Sequence, residues 1–259
     1  MSSLKGVYWD LDGTIANTEL EAHLPAFNSA FKDFGLIWNW DISTYVNLLK
    51  INGGKNRISY FSKISKEYIS EDSVVKIHKR KQFYYLENIK NNCIHLKSGV
   101  KRLTNDLANN AVRQFIVTSS SKIQVELLIK HLFGDSNPFE FIISSDDVKL
   151  HKPNPLPYLE AMRISGIKNY QSVVFEDSIP GIQASFAANL PTIYTPSNIP
   201  TAIDRNIKLD CIIKNLGDGS EMANVVKGPK IDTKYIDYFY LNKYLMPFFN
   251  AENKFFQNN

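Results

Sequence analysis

Lys5-Gly6-Val7-Tyr8-Trp9-Asp10-Leu11-Asp12-Gly13-Thr14 is the stretch that decides the fold. Its first half reads as a β-strand, and Gly13 permits the sharp turn that ends it. Downstream the spacing changes. Leu20, His23, Leu24, Phe27, Ala30, Phe31 and Phe34 recur at helical intervals, with Gly35 placed to cap the helix at its C-terminal end. Three more helical stretches follow, at about 43–50, 55–68 and 71–92. Only then do strand-like runs return: Arg113–Thr118, Phe139–Ser144, Ser172–Glu176, Thr192–Tyr194 and Cys211–Ile213. Helical stretches at about 121–133, 155–165 and 179–188 separate the first four of them.

Strands alternating with helices predict an α/β fold built on a parallel, doubly wound (Rossmann-like) sheet. The helical block interrupts that alternation directly after the first strand. It reads as an inserted α-helical cap domain over residues 18–93, with residues 1–17 and 94–259 forming a discontinuous core. After Gly228 the chain is rich in aromatics (Tyr235, Tyr238, Phe239, Tyr240, Tyr244, Phe248, Phe249), which predicts packing against the core, with Ala251–Asn259 fraying.

Composition narrows the class. With 44% hydrophobic and 22% charged residues in a chain of 259, neither disorder nor a fibrous repeat is expected. No run approaches the length of about 18 apolar residues that spans a bilayer. The first ten residues, MSSLKGVYWD, meet an acid too early for a targeting peptide. The expectation is a cytoplasmic protein, a monomer, with neither membrane nor nucleic acid as partner. Cys93 and Cys211 form no C-x-x-C pair and are expected as reduced thiols. The net charge of +4 is modest, but residues 51–100 carry ten Lys/Arg against four acids, so the rest of the chain is slightly negative. Such a basic block suits a small anionic substrate as well as a polyanion.

In doubly wound sheets, ligands bind at the C-terminal ends of the strands. There this sequence offers Asp10 and Asp12 after strand one and Ser119-Ser120-Ser121 after the second core strand. Lys152 follows the third, within His-Lys-Pro-Asn-Pro, and Glu176-Asp177 the fourth. Each element alone is commonplace, a turn, a helix cap or a loop charge. Falling in this order at strand ends, they form one set. Carboxylates at that density need a cation between them. Oxygen donors without Cys or His point to Mg2+, with Asp10, Asp12 (through its main-chain carbonyl), Glu176 and Asp177 as candidate ligands. Asp10 can attack phosphorus to form an aspartyl-phosphate, and Asp12 can act as general acid and then as base. Ser119, or Thr118 if the strand ends earlier, can hold phosphoryl oxygens together with Ser120 and backbone N–H groups, while Lys152 balances charge.

These residues resemble the four motifs of the haloacid dehalogenase superfamily in its phosphatase and phosphomutase branch: Asp10-Leu-Asp12-Gly-Thr, Val117-Thr-Ser119, Lys152-Pro-Asn-Pro and Phe175-Glu-Asp-Ser-Ile-Pro-Gly181. The resemblance extends to about residue 215. It implies Mg2+ dependence, phosphoryl transfer and a cap that closes over the substrate. Four cap features, Asn17-Thr-Glu19-x-x-x-His23, Ala26-Phe-Asn28, Gly53-Gly54-Lys55-Asn-Arg57 and His78-Lys-Arg80-Lys81, are similar to those of the CbbY-type phosphatases. That similarity implies a sugar bisphosphate substrate, xylulose-1,5-bisphosphate. Glu19, Gly53, Gly54, Lys55, Arg57, His78, Arg80, Lys81 and Ser120 are then the candidate substrate-binding residues. Paired glycines let backbone N–H groups approach a second phosphate, and Lys55 and Arg57 supply charge. A β-phosphoglucomutase-like mutase, which shares Gly54-Lys-Asn-Arg57, and a generalist sugar-phosphate phosphatase remain the alternatives.

Overall fold

The computed structural model describes residues 3–51, 53–91, 94–199 and 207–252. Its centre is a sheet of seven described strands: β1 (Gly6–Trp9), β2 (Arg113–Val117), β3 (Phe141–Ile143), β4 (Ser172–Glu176), β5 (Thr192–Tyr194), β6 (Cys211–Asn215) and β7 (Asn224–Lys227). They lie in the order β3-β2-β1-β4-β5-β6-β7. All neighbours pair in parallel except β7, which runs antiparallel at the edge. β1 is buried at every residue, as expected of a strand covered on both faces, and this explains its unbroken apolar run. Tyr8 joins Phe115, Val117, Tyr158, Val174 and Ala184 in one core cluster. Trp9 stacks on Phe175 at 4.3 Å and donates to Gln114 at 3.2 Å. Burying side chains of this size is worth about 1.5–3 kcal/mol each.

Register positions the chemistry. Trp9 pairs with Ile116 on one side and with Phe175 on the other. The residues one step further, Asp10, Val117 and Glu176, therefore emerge side by side where the chain order reverses about β1, the usual ligand crevice of such a sheet.

The helices of this half are α5 (Val100–Asn109), α6 (Lys122–Phe133), α7 (Leu156–Ser165), α8 (Ile179–Ala187) and α9 (Met246–Glu252). Ser121 caps α6 through a capping box with Gln124, and the Ser178 hydroxyl caps α8 by accepting from Gly181 N at 3.1 Å. Neither α5 nor β7 is foreseen in the sequence. α5 buries Val100, Leu103 and Leu107, but Thr104, buried beside them, interrupts the apolar signal. β7 has mostly exposed side chains, so no alternation marks it. The helix expected from Glu19 instead opens with a π-helical turn, Glu19–His23, before α1 (Leu24–Asp33).

Among the described residues the chain divides into two compact units. One is Asn17–His95 with Ile199–Thr201; the other is Met1–Ala16, Leu96–Asn198 and Ala202–Asn259. The first holds α1, α2 (Ile42–Leu48), α3 (Gly54–Ile64) and α4 (Glu71–Lys90). Its core gathers Phe27, Phe31, Trp38, Trp40 and Tyr45. Asn28 clamps the Trp40 backbone, donating to its carbonyl at 2.9 Å and accepting from its N–H at 2.8 Å. That contact explains the Ala-Phe-Asn28 motif structurally.

The aromatic tail packs on the sheet-bearing unit. Tyr240, Leu241 and Leu245 are buried in a π-helical turn, Tyr240–Leu245, that runs into α9. Arg102 on α5 fastens the approach to it, donating to the carbonyls of Leu216 (2.9 Å), Gly217 (3.0 Å) and Ile236 (2.6 Å) and lying over Tyr235. Cys211 is free and buried, with burial pushing its thiol up to about 12. Cys93 and residues 253–259 lie outside the described residues. No described helix is long and apolar enough to cross a membrane.

Replacing Arg102 by Ala leaves three carbonyls to find water, at a cost of about 2 kcal/mol for charge-assisted bonds at a half-buried site. Urea unfolding of R102A is expected to show that loss with little change in m-value.

Candidate active site

Lys152 is the centre of the strand-end cluster. Its buried ammonium donates to Asp10 Oδ1 (2.7 Å), Glu176 Oε1 (2.6 Å) and the Val117 carbonyl (2.8 Å), so three donors meet three acceptors from β1, β4 and β2. Burial opposes the ammonium, but Asp10 and Glu176 outweigh it and hold Lys152 above its ordinary value. Asp10 is itself raised, first by burial and then by the Glu176 carboxylate, with Lys152 acting against both. Asp10, Glu176 and Asp177 each bring a carboxylate oxygen within 4.8 Å of the others. Three carboxylates outnumber the ammoniums of Lys152 and Lys97 near them and leave negative charge in a buried space. A divalent cation with hard oxygen ligands matches that donor set.

The three acids are not equivalent. Both oxygens of Glu176 are engaged: Oε1 by Lys152 and by the Tyr158 hydroxyl (2.9 Å), Oε2 by the N–H groups of Asp177 (3.1 Å) and Ser178 (3.2 Å) and by the Ser178 hydroxyl (3.1 Å). Its carboxylate fills the space a side chain at position 181 would need, because a Cβ on Gly181 would come within 1.8 Å of it. Asp177 accepts a long contact from the Thr14 hydroxyl, 3.4 Å. It presses on the turn after Asp12. Gly13 has φ +90°, and a Cβ there would lie 2.0 Å from Asp177 Oδ2, so only glycine fits.

Asp12 is half-buried, and its Oδ2 accepts from the Ser120 hydroxyl at 2.5 Å. Ser120, expected among the substrate-binding residues, thus holds the second aspartate in place. β2 ends at Val117. Thr118 is buried and its hydroxyl accepts from Ser120 N at 3.1 Å, whereas Ser119 is exposed at the strand end. Lys97 and Tyr158 also belong to this site and carry no sequence signal. Tyr158 sits in an apolar helical run, and Lys97 is one lysine of many. Burial pushes Lys97 down to about 8, with Asp177 and Asp10 working the other way.

The helical unit holds a second group of residues. Gly53 has φ +87° and starts α3. Gly54 packs directly against the His78 ring, where a Cβ would come within 2.7 Å. Burial lowers His78 to about 4, helped by Lys81, Lys55, His23 and Arg57, so a neutral imidazole stands near the cations Lys55, Arg57 and Lys81. Lys81 is buried, with its ammonium 2.5 Å from His23 Nδ1 and close to the rings of Phe27 and Tyr85. Arg57 donates to the Ile51 carbonyl at 2.9 Å and lies over Tyr45, whose hydroxyl donates to Glu19. Lys55 is exposed. Arg80 departs from the expectation. Two residues from His78 on α4, it points away from that group and is taken up by Asp33 and Tyr84.

Comparison with known proteins gives the site a context. The family model described as haloacid dehalogenase-like hydrolase matches residues 7–195. Protein CbbY of Rhodobacter capsulatus is 34% identical over 75% of this chain and 86% of its own. The plasmid CbbY of Cupriavidus necator is 31% identical over 84% and 88%. A crystal structure of mutant CbbY from Rhodobacter sphaeroides in complex with xylulose-1,5-bisphosphate superposes with a TM-score of 0.70, at 29% identity over 79% of this chain and 90% of that one.

If the acidic cluster holds a divalent cation, Mg2+ at 100 times its dissociation constant stabilises the fold by about 2.7 kcal/mol. Thermal melts with Mg2+ and with EDTA are expected to differ for the wild type and to coincide for Asp177→Asn.

Proposed function

The chain belongs to the haloacid dehalogenase-like hydrolase family and is a hydrolase acting on phosphoric monoesters, and we propose that it is a Mg2+-dependent phosphatase of a sugar bisphosphate, xylulose-1,5-bisphosphate first among them. The observation that carries the chemistry is the close set of Asp10, Glu176 and Asp177 around Lys152. An isolated structural ion pair needs one carboxylate per ammonium. The excess here is what a bound cation would answer, and that cation in turn would receive a dianionic phosphoryl group.

Asp10 and Asp177 would hold the Mg2+, with the Asp12 carbonyl as a further donor, and Glu176, bonded through both oxygens, would stand behind them. When bound, the ion supplies Lewis-acid neutralisation of the phosphoryl oxygens. An Asp10 carboxylate oxygen attacks phosphorus, the bond from phosphorus to the sugar oxygen breaks, and Asp12 protonates that departing oxygen. Water then attacks the aspartyl-phosphate while Asp12 takes its proton, and Asp10 is regenerated as phosphate leaves. Ser120 fixes the Asp12 rotamer for both steps. Lys152 offsets charge on Asp10 and on the transferring group, and Ser119 offers an exposed hydroxyl to its oxygens.

The bisphosphate assignment rests on the cations Lys55, Arg57 and Lys81 beside His78, together with the ligand of the Rhodobacter sphaeroides relative. Gly53 and Gly54 open the backbone at the start of α3, beside that charge. A second phosphate is the group that Lys55 and Arg57 suit.

Phosphate release with Mg2+ is the test, over xylulose-1,5-bisphosphate, ribulose-1,5-bisphosphate, xylulose 5-phosphate, β-glucose 1-phosphate and p-nitrophenyl phosphate. The expected preference for the xylulose bisphosphate is about 100-fold, or about 2.7 kcal/mol in the transition state. Flat, slow turnover would remove the substrate assignment, and glucose 6-phosphate formed from β-glucose 1-phosphate would establish a mutase. Asp10→Asn is expected to abolish turnover, and Arg57→Ala to raise KM for the bisphosphate more than for p-nitrophenyl phosphate.

A further inference from the structure

Lys97 lies just beyond the point where the chain returns to the sheet-bearing unit, and every partner of its ammonium is a main-chain carbonyl. Nζ donates to Gly13 (2.6 Å), Pro196 (3.0 Å) and Thr195 (3.4 Å). An ammonium has three donors, and all are used. These carbonyls belong to two loops on either side of the Glu176-Asp177 strand end. Gly13 follows Asp12 at the end of β1. Thr195 and Pro196 follow β5, and Thr195 N in turn donates to the Glu176 carbonyl at 2.7 Å. In the sheet order, β4 lies between β1 and β5. Lys97 therefore ties the two flanking loops together across the strand that carries the acids.

The backbone of Lys97 joins the same arrangement. Its N–H donates to the Ile15 carbonyl at 2.9 Å, and Ala16 bridges to Leu96. The turn from Leu11 to Ala16 closes on itself through Ile15 N to Leu11 O (2.9 Å) and Gly13 N to Ala16 O (2.7 Å). On its other side it meets Asp177, through Thr14 and through the Cβ-free face of Gly13. The turn is thus held between Asp177 and Lys97. Any shift of the Gly13 peptide moves Asp12, one residue before it, and relieves or worsens its contact with Asp177.

We propose that Lys97 is a positioning residue of the active site: by gripping the Gly13, Thr195 and Pro196 carbonyls it sets the places of the Asp12 carboxyl and the Asp177 ligand oxygen. This rests on the phosphatase reading of the same site. Lys152 fixes the β2, β1 and β4 ends, and Lys97 does the equivalent for β1, β4 and β5. A methionine keeps the length of the side chain but donates nothing, so the two loops lose their common anchor.

The experiment compares Lys97→Met, Lys97→Arg and Asp10→Asn with wild type, measuring kcat, KM, Mg2+ affinity by titration calorimetry, and thermal melting. For Lys97→Met the expectation is a loss of about 10–100-fold in kcat and in Mg2+ affinity, as when partners behind metal ligands are removed, with KM nearly unchanged. Lys97→Arg, which keeps the charge and donors, is expected to recover most of both. A folded Lys97→Met protein with wild-type kcat and Mg2+ affinity would overturn the proposal. Should Lys97→Met not fold, Lys97→Gln decides: it keeps a donor but neither the charge nor the reach, so a several-fold loss in kcat and Mg2+ affinity is expected, and wild-type values for both would overturn the proposal. Turnover retained in Asp10→Asn would instead overturn the phosphatase reading at this site, whatever the Lys97 variants do.

Discussion

The Lys152 ammonium, bonded to Asp10, Glu176 and the Val117 carbonyl, joins the ends of three adjacent strands. The remaining geometry of the site depends on it. Without it, Asp10 and Glu176 would face each other in a buried space, and the burial penalty that already raises Asp10 would be joined by unscreened repulsion. Removing one partner of such a buried pair typically costs about 3–5 kcal/mol, more than most single contacts. A neutral, well-packed substitute could stabilise the sheet equally well. The charge here acts on Asp10, whose raised value it opposes.

Around that centre the acids divide their work by the hydrogen bonds they make. Glu176 is saturated by Lys152, Tyr158 and the N-terminal turn of α8, so it orients its neighbours. Asp177 accepts from Thr14 and faces the Gly13 turn. Two adjacent residues of one type thus differ in role because one points toward a helix start and the other toward a turn. Glycine appears at both close approaches, Gly13 and Gly181, because a Cβ at either would collide with a carboxylate. In the helical unit the problem is inverted. Lys81 is packed against the rings of Phe27 and Tyr85 and, with the nearby Lys55 and Arg57, it helps lower His78.

Much of this is written in the chain order. The strand of Val7, Tyr8 and Trp9 running into Asp10, the helical intervals of residues 20–34, and acids, hydroxyls and Lys152 at successive strand ends determine the α/β class and the set of candidate residues. These are local patterns, set by the periods of strands and helices, and they survive without any knowledge of contacts. Strand ends are also where residues of a parallel sheet converge, so the list of reacting groups follows from topology. The excess of cations over residues 51–100 is likewise visible as composition.

What each residue does with its neighbours was decided only by tertiary structure. Ser120 reads as a phosphate contact until the fold sets its hydroxyl on Asp12, and Arg80 reads as one more cation of a basic run until the α4 face turns it onto Asp33. Lys97 and Tyr158 are anonymous in the sequence: the partners of Lys97 are backbone carbonyls, which every residue possesses, 84 to 99 residues away, and Tyr158 reaches Glu176 18 residues on. The physical reason is the range of the interaction. Periodicity and turn chemistry act over a few residues and are encoded where they act, whereas a hydrogen bond between residues distant in sequence exists only once the sheet register has set both ends in place.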